Sequence, residues 1–170
     1  HYGIADDTAI IEMAAASGLP LLTPEQRNPW FTSTFGTGEM IMDAISRGCR
    51  HFLVGIGGSA TNDAGTGMLQ ALGFRFYDAN NHLIHHCTGG RMADIARIDD
   101  AAVPPAVREA TFTVACDVDT PFCGPEGAAP VFAPQKGADP KMVIRLDKAM
   151  ASLAQVIQQH YNVNITPIPG

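Results

Sequence analysis

Gly57-Gly58-Ser59-Ala60-Thr61-Asn62-Asp63 brings two glycines, two hydroxyls, an amide and a carboxylate into one short stretch. Glycines let backbone amides come close to a ligand, and hydroxyls donate to a phosphate or a carboxylate. Asp63 has the chemistry of a base toward a substrate hydroxyl, or of a ligand for Mg²⁺. The stretch is not a Walker loop, because no Gly-Lys-Ser/Thr follows at the required spacing. It is not a Gly-x-Gly-x-x-Gly fingerprint either. A tight strand-to-helix turn with Asp63 as a cap would use the same residues, and both readings stand open.

Other residues carry weaker signals. Asp117 and Asp119 follow an apolar run, and carboxylates at strand ends often face the crevice of an α/β site. An aspartate that bonds its own loop backbone is the plainer alternative. Gln135-Lys136-Gly137 sets one cation beside a glycine, where Lys136 could meet an anion as a point charge. Gly36-Thr37-Gly38-Glu39 opens a helical stretch whose amides could take an anion. His85, His86 and Cys87 are adjacent, so in a strand their side chains diverge, and no second ligand pair has zinc spacing. Metal is not expected there. Asp63 or Asp117 toward Mg²⁺ is the only metal reading retained.

These residues need elements to position them. Thr8 to Ser17 is apolar and rich in alanine, which favours helix, although a strand through its early part is open. Thr34 to Gly48 reads as a helix with Met40, Ile41, Ala44 and Ile45 as its stripe, Thr37 as a cap and Gly48 as its end. His51 to Ile56 suits a buried strand and breaks directly into the glycine run. Thr66 to Leu72 has helical spacing and stops at Gly73. Strand, glycine loop and helix in that order place free N–H groups around an anion. Phe74 to Tyr77 and His82 to Ile84 read as the arms of a hairpin, Met92 to Ile98 as a short helix, and Pro104 to Arg108 as a single turn. Thr111 to Val118 reads as a second buried strand. Pro140 to His160 reads as an amphipathic helix with Met142, Val143, Leu146, Met150, Leu153, Ala154 and Ile157 on one face, and Asn162 to Gly170 as a tail. The hairpin argues for a mixed sheet in a three-layer α/β domain spanning 1–170 as a single unit.

The bulk numbers narrow the function. The 170 residues are 46% hydrophobic and 16% charged, which supports a sizeable core rather than disorder. A net charge of −6 argues against nucleic acid or an anionic membrane as the main partner. A locally positive pocket for a small anion is still compatible with it. Cys49, Cys87, Cys116 and Cys123 form no Cys-x-x-Cys pair and read as free thiols in a reducing compartment, hence a cytoplasmic protein. No apolar run approaches membrane-span length. The chain begins at His1 without a start methionine, consistent with a piece of something longer.

Five strings then occur in one order: Glu12 to Leu19 (EMAAASGL), Gly36 to Glu39 (GTGE), Gly55 to Asp63 (GIGGSATND), Ala115 to Val118 (ACDV) and Phe132 to Ala138 (FAPQKGA). Together they resemble the bacterial glycerate kinase family over essentially the whole chain. The resemblance implies transfer of the γ-phosphoryl group of ATP to a hydroxyl of D-glycerate, with Mg²⁺, giving 2-phosphoglycerate. It implies a fold of two α/β domains, one inserted in the other, with this chain as the inserted one. The family's Asp-Ser-Phe-Lys-Gly and Ala-Asp-Gly-Gly-Glu-Gly segments do not occur here. The chain is therefore expected to be inactive alone and to have the missing domain of the same polypeptide as its partner, with a homo-oligomer also allowed. Under the resemblance Gly57, Gly58, Ser59, Thr61 and Asn62 line an anion site with Gly36, Thr37 and Gln135. Asp63 orients or deprotonates the hydroxyl, Asp117 is second choice for that task, and Lys136 neutralises charge. Thr120-Pro121-Phe122 departs from the family's Asn-Pro-Leu. A binding or regulatory module of the same fold, or a kinase of another small hydroxy acid, is the alternative.

Overall fold

The computed structural model describes residues 1–168. In chain order the elements are β1 (Gly3–Ala5), β2 (Thr8–Glu12), α1 (Ala14–Ser17), α2 (Phe35–Ser46), β3 (His51–Gly55), α3 (Thr66–Ala71), β4 (Arg75–Tyr77), β5 (Arg97–Asp99), α4 (Pro105–Arg108), β6 (Thr111–Ala115), α5 (Ala128–Phe132) and α6 (Pro140–Tyr161). Short 3₁₀ turns at Leu19–Leu21, Pro24–Gln26, Gly89–Asp94 and Pro134–Lys136 join them.

The main sheet has the order β1-β2-β3-β6. β1 runs antiparallel to β2, whereas β2, β3 and β6 are mutually parallel, so the fold is α/β with a mixed sheet. Alternation explains the burial. Ala9 and Ile11 of β2 and Phe52 and Val54 of β3 point into the core, and Ile10 and Leu53 point out. The inward set packs on Ile41, Ala44 and Ile45 of α2 and on Leu72 after α3. Each isoleucine, valine, leucine or phenylalanine among them is worth about 1.5–3 kcal/mol of burial. Thr8–Glu12 is a strand rather than the start of a helix because β1 and β3 pair with it on both sides, and pairing outweighs the helix propensity of its alanine. Only Ala14–Ser17 is helical.

A second core lies beyond α3. There Phe76, Ile84, Met92, Ile95 and Ile98 meet Leu146, Ala149, Met150 and Leu153 of α6. α6 starts at Asp139, whose carboxylate accepts from the Met142 amide at 2.7 Å, so its cap and stripe follow the sequence expectation. The stacking is main sheet, then α2 with α3, then the layer of α6 and the two-stranded sheet β4–β5.

Three expectations need correction. The strand partner of β4 is Arg97–Asp99; the expected His82–Ile84 arm does return antiparallel on its other side, through Asp78 N to His82 O, Ile84 N to Phe76 O and the bridge Tyr77 to Leu83, but it is too short to form a strand. The expected helix at Met92–Ile98 is instead a 3₁₀ turn followed by β5, in which Arg97 stacks on the Tyr77 ring at 3.8 Å. β6 ends at Ala115 and is exposed at all five residues. Its alternation of threonine with Phe112 and Val114 resembles a core strand, yet it is the edge of this sheet, bonded only to β3.

Candidate active site

The carboxyl ends of β2, β3 and β6 fall in register at Glu12, Gly55 and Ala115. In parallel sheets this end is where ligands collect. Glu12 leans across β3: a Cβ built on Gly55 would stand 2.7 Å from its Oε2. Sequence reasoning missed Glu12 as a resident of this rim. Its clue was a carboxylate at the end of an apolar run, the same clue that flagged Asp117. Asp117 stands two residues past Ala115, exposed and bonded to nothing among the described residues, and Asp119 is exposed beyond it.

From Gly55 the chain runs through the glycine loop to α3. Gly58 turns with φ +68°, a conformation glycine adopts without strain, and Gly57 and Gly58 are both exposed. The loop is held from below. Leu19 N donates to Gly58 O at 2.9 Å, Ala60 N to Ser17 O at 2.8 Å, and Thr32 Oγ1 to Ala60 O at 2.8 Å.

Lys136 reaches the same loop from the 3₁₀ turn Pro134–Lys136. Its Nζ donates to Ser59 Oγ at 2.7 Å and to Thr61 O at 2.6 Å. The residue is 8% exposed. Burial pulls its pKa down to about 8, against the opposing pull of the Asp63 charge. An ammonium has three protons and two are committed here.

Asp63 does not face that space, which corrects its expected role. It is 1% exposed. Its Oδ2 accepts from Thr34 N at 2.8 Å, Thr34 Oγ1 at 2.9 Å and Gly67 N at 3.2 Å, and its Oδ1 accepts from Gly65 N at 3.2 Å. Burial pushes this carboxyl above its ordinary pKa, opposed by those same donors. The carboxylate fills the amino end of α3 that an anion was expected to use, and it ties that end to the start of α2. For Asp63 itself, these hydrogen bonds match the capping role the sequence left open.

The remaining expected residues divide. Ser59, Thr61, Lys136 and Asp63 are gathered together, and Gly57 and Gly58 in the same loop are exposed. Asn62 is turned inward, its amide donating to Met150 Sδ at 3.3 Å. Thr37 is buried and bonded to Ser17 Oγ at 2.8 Å, so it neither caps α2 nor meets solvent. Gly36 lies in the first turn of α2 against Ala16, and Gln135 is exposed. His85 and His86 line an open cavity of about 420 Å³ with Trp30, Phe31 and Arg91, which no residue of the glycine loop enters. Among the described residues no group of three or more His, Cys, Asp or Glu could hold a metal ion, all four cysteines are free, and no helix is long and apolar enough to cross a membrane.

A mixed α/β domain with a lysine-braced glycine loop at the carboxyl ends of parallel strands has the parts for binding a small anion. The family model described as "Glycerate kinase family" matches residues 1–170, and the chain belongs to that family. It is 44% identical over 172 residues to a glycerate kinase of Halalkalibacterium halodurans, covering 100% of this chain and 45% of the relative. It is 44% identical to a glycerate 2-kinase of Escherichia coli, over 99% of this chain and 45% of that protein. A crystal structure of a Salmonella typhimurium protein assigned as glycerate kinase 2 superposes with a TM-score of 0.95 at 44% identity, covering 99% of this chain and 46% of the other. The chain thus spans about half the length of the relatives it matches.

Proposed function

We propose that this chain supplies the anion-binding loop of an ATP-dependent glycerate kinase, which moves the γ-phosphoryl group of ATP to a hydroxyl of D-glycerate and releases 2-phosphoglycerate and ADP. The observation that carries the reading is the clamp of Lys136 on Ser59 and Thr61, which fixes a cation to the loop that also carries the exposed Gly57 and Gly58. Phosphoryl transfer asks mainly for positioning and for the screening of spread negative charge. The amides of Gly57 and Gly58, the Ser59 hydroxyl and the third Lys136 proton provide that screening. The acceptor hydroxyl needs a carboxylate with free oxygens. Asp63 is buried among its four donors and out of reach, so Asp117 takes that role.

Mg²⁺ commonly uses one or two protein carboxylates and takes its other ligands from phosphates and water. The donors present fit an ion that arrives with the nucleotide, held by Asp117 rather than by the buried Asp63. When bound it would supply further neutralisation of phosphate charge. The rest of the polypeptide is the proposed partner. The outward face at Ile10 and Leu53 and the open edge of β6 are the surfaces for it, because parallel strands are ordinarily covered on both faces. The chain by itself is then inactive. The four free thiols fit a cytoplasmic setting.

The test is phosphorus NMR of the full-length protein with ATP, Mg²⁺ and D-glycerate. A 2-phosphoglycerate resonance growing with ADP is expected. No phosphoglycerate, or a higher kcat/KM for another hydroxy acid, would overturn the reading.

A further inference from the structure

The cavity beside His85 and His86 has no part in the proposed mechanism. It measures about 420 Å³ and opens to solvent, and Trp30, Phe31, Leu83, His85, His86 and Arg91 form most of its wall. That size lies within the ordinary range of small-molecule sites. Two properties of the wall narrow the occupant. The first is apolar surface. Phe31 is 72% exposed and Leu83 is 38% exposed, and both border the same hollow. Trp30 is fixed in place: Arg145 stacks on its ring at 3.9 Å, Gly90 N donates to its carbonyl at 2.8 Å, and a Cβ on Gly90 would stand 2.3 Å from its Nε1. The second is charge. The chain as a whole carries −6, yet Arg91 and two histidines line the cavity and no carboxylate does. Arg91 commits its Nε to Asp94 at 3.2 Å, and a guanidinium has further N–H donors besides that one.

The cavity is also joined to the glycine loop. One wall comes from the segment 28–34, in which Thr32 Oγ1 donates to Ala60 O at 2.8 Å and Thr34 N donates to Asp63 Oδ2 at 2.8 Å. The other wall comes from the segment 83–91, in which Gly89 packs on Asn62: a Cβ there would stand 2.9 Å from Asn62 O. Ser33 Oγ ties the two segments together by donating to Cys87 O. Both walls are thus built onto the backbone of the loop that Lys136 clamps.

We infer that this cavity binds a nucleotide, with the base against Phe31 and Leu83 and a phosphate toward Arg91 and the histidines. Aromatic side chains give a base a stacking surface, and a guanidinium fork matches a phosphate. D-Glycerate has no ring to set against Phe31 and Leu83, so the small acid is not the occupant. The inference rests on the proposed function only for the role of the nucleotide: it is the phosphoryl donor, with its base seated beside the loop, or an effector bound apart from it.

The experiment is calorimetry on the full-length protein with ADP and with adenosine, for wild type, Phe31→Ala and Arg91→Gln. Both side chains are exposed, so neither substitution empties a core position. Phe31→Ala is expected to weaken ADP and adenosine alike by about tenfold, the scale of one lost base stack. Arg91→Gln should weaken ADP by about tenfold and leave adenosine within about twofold, because only ADP carries the charge that a guanidinium pairs with. One ADP bound per chain, with the KM for ATP rising in both variants, makes the nucleotide the phosphoryl donor. Two bound per chain, with one weakened in both variants, makes it an effector. Unchanged ADP affinity in either variant overturns the inference, and it is the result to expect if the rest of the polypeptide fills the cavity. If ADP binds as described but ATP and D-glycerate yield no phosphoglycerate, the kinase reading falls and the nucleotide site stands.

Discussion

Asp63 and Lys136 are neighbours buried for opposite ends. Asp63 accepts four hydrogen bonds and offers nothing outward, so replacing it tests architecture. Asp63→Asn turns an amide NH₂ toward existing N–H donors. It is expected to cost about 2–3 kcal/mol of stability, the scale of a buried charged hydrogen bond lost, read from urea unfolding of the full-length protein. Lys136 predicts a pH signature. Its folded pKa is about 8 against an ordinary 10.5. Below pH 8 both states carry the proton and stability is flat with respect to this group. Between about 8 and 10.5 the unfolded chain binds more protons than the folded one, so stability rises with pH across that window. Lys136→Met should abolish the rise, measured as the unfolding midpoint against pH. Phosphate affinity of wild type should move the other way, falling above pH 8 as the ammonium discharges.

Among elements, the contact of α2 with α3 is the hinge on which the loop depends. Gly38 is buried in it, and a Cβ there would stand 2.5 Å from the Met68 carbonyl and 2.6 Å from the Ala71 Cβ. Backbone cannot yield as a flexible side chain does. Gly38→Ala is therefore expected to cost about 1–3 kcal/mol, the usual range for overpacking, and to lower phosphate affinity through the displaced loop. Gly48 is the control. It has φ +97° with open space around it, so Gly48→Ala should cost only about 1–2 kcal/mol of backbone strain and leave phosphate affinity alone. Thermal unfolding with and without phosphate separates the two.

For the whole molecule, the outward face of the main sheet sets the expectation. Ile10 and Leu53 are 46% and 38% exposed, and Phe112 and Val114 on the β6 edge are 42% and 53% exposed. Strand edges and apolar faces of this kind seek partners. In hydrogen exchange, the amides of Thr111–Ala115 should be at least about tenfold more protected in the full-length protein than in the isolated chain, a difference of about 1.4 kcal/mol in local opening. Equal protection would show that the rest of the polypeptide does not cover β6.

Much of the positioning was legible from local patterns. The apolar run His51–Gly55, the stripe of α6 with its Asp139 cap, and the glycine stops after α2 and α3 are short-range features, because backbone sterics and side-chain periodicity act within a few residues. The ordered motifs that resemble a glycerate kinase are likewise a property of the linear chain, as is the placing of Gly57, Gly58, Ser59 and Lys136 among the anion-binding candidates. Long-range matters were decided only by the tertiary structure. Which strand pairs with β4, whether β6 is core or edge, and whether the Asp63 carboxylate points to substrate or to the amides of α3 all depend on residues distant in sequence. A buried carboxylate goes where donors can replace its lost water, and here those donors sit on Thr34, Gly65 and Gly67.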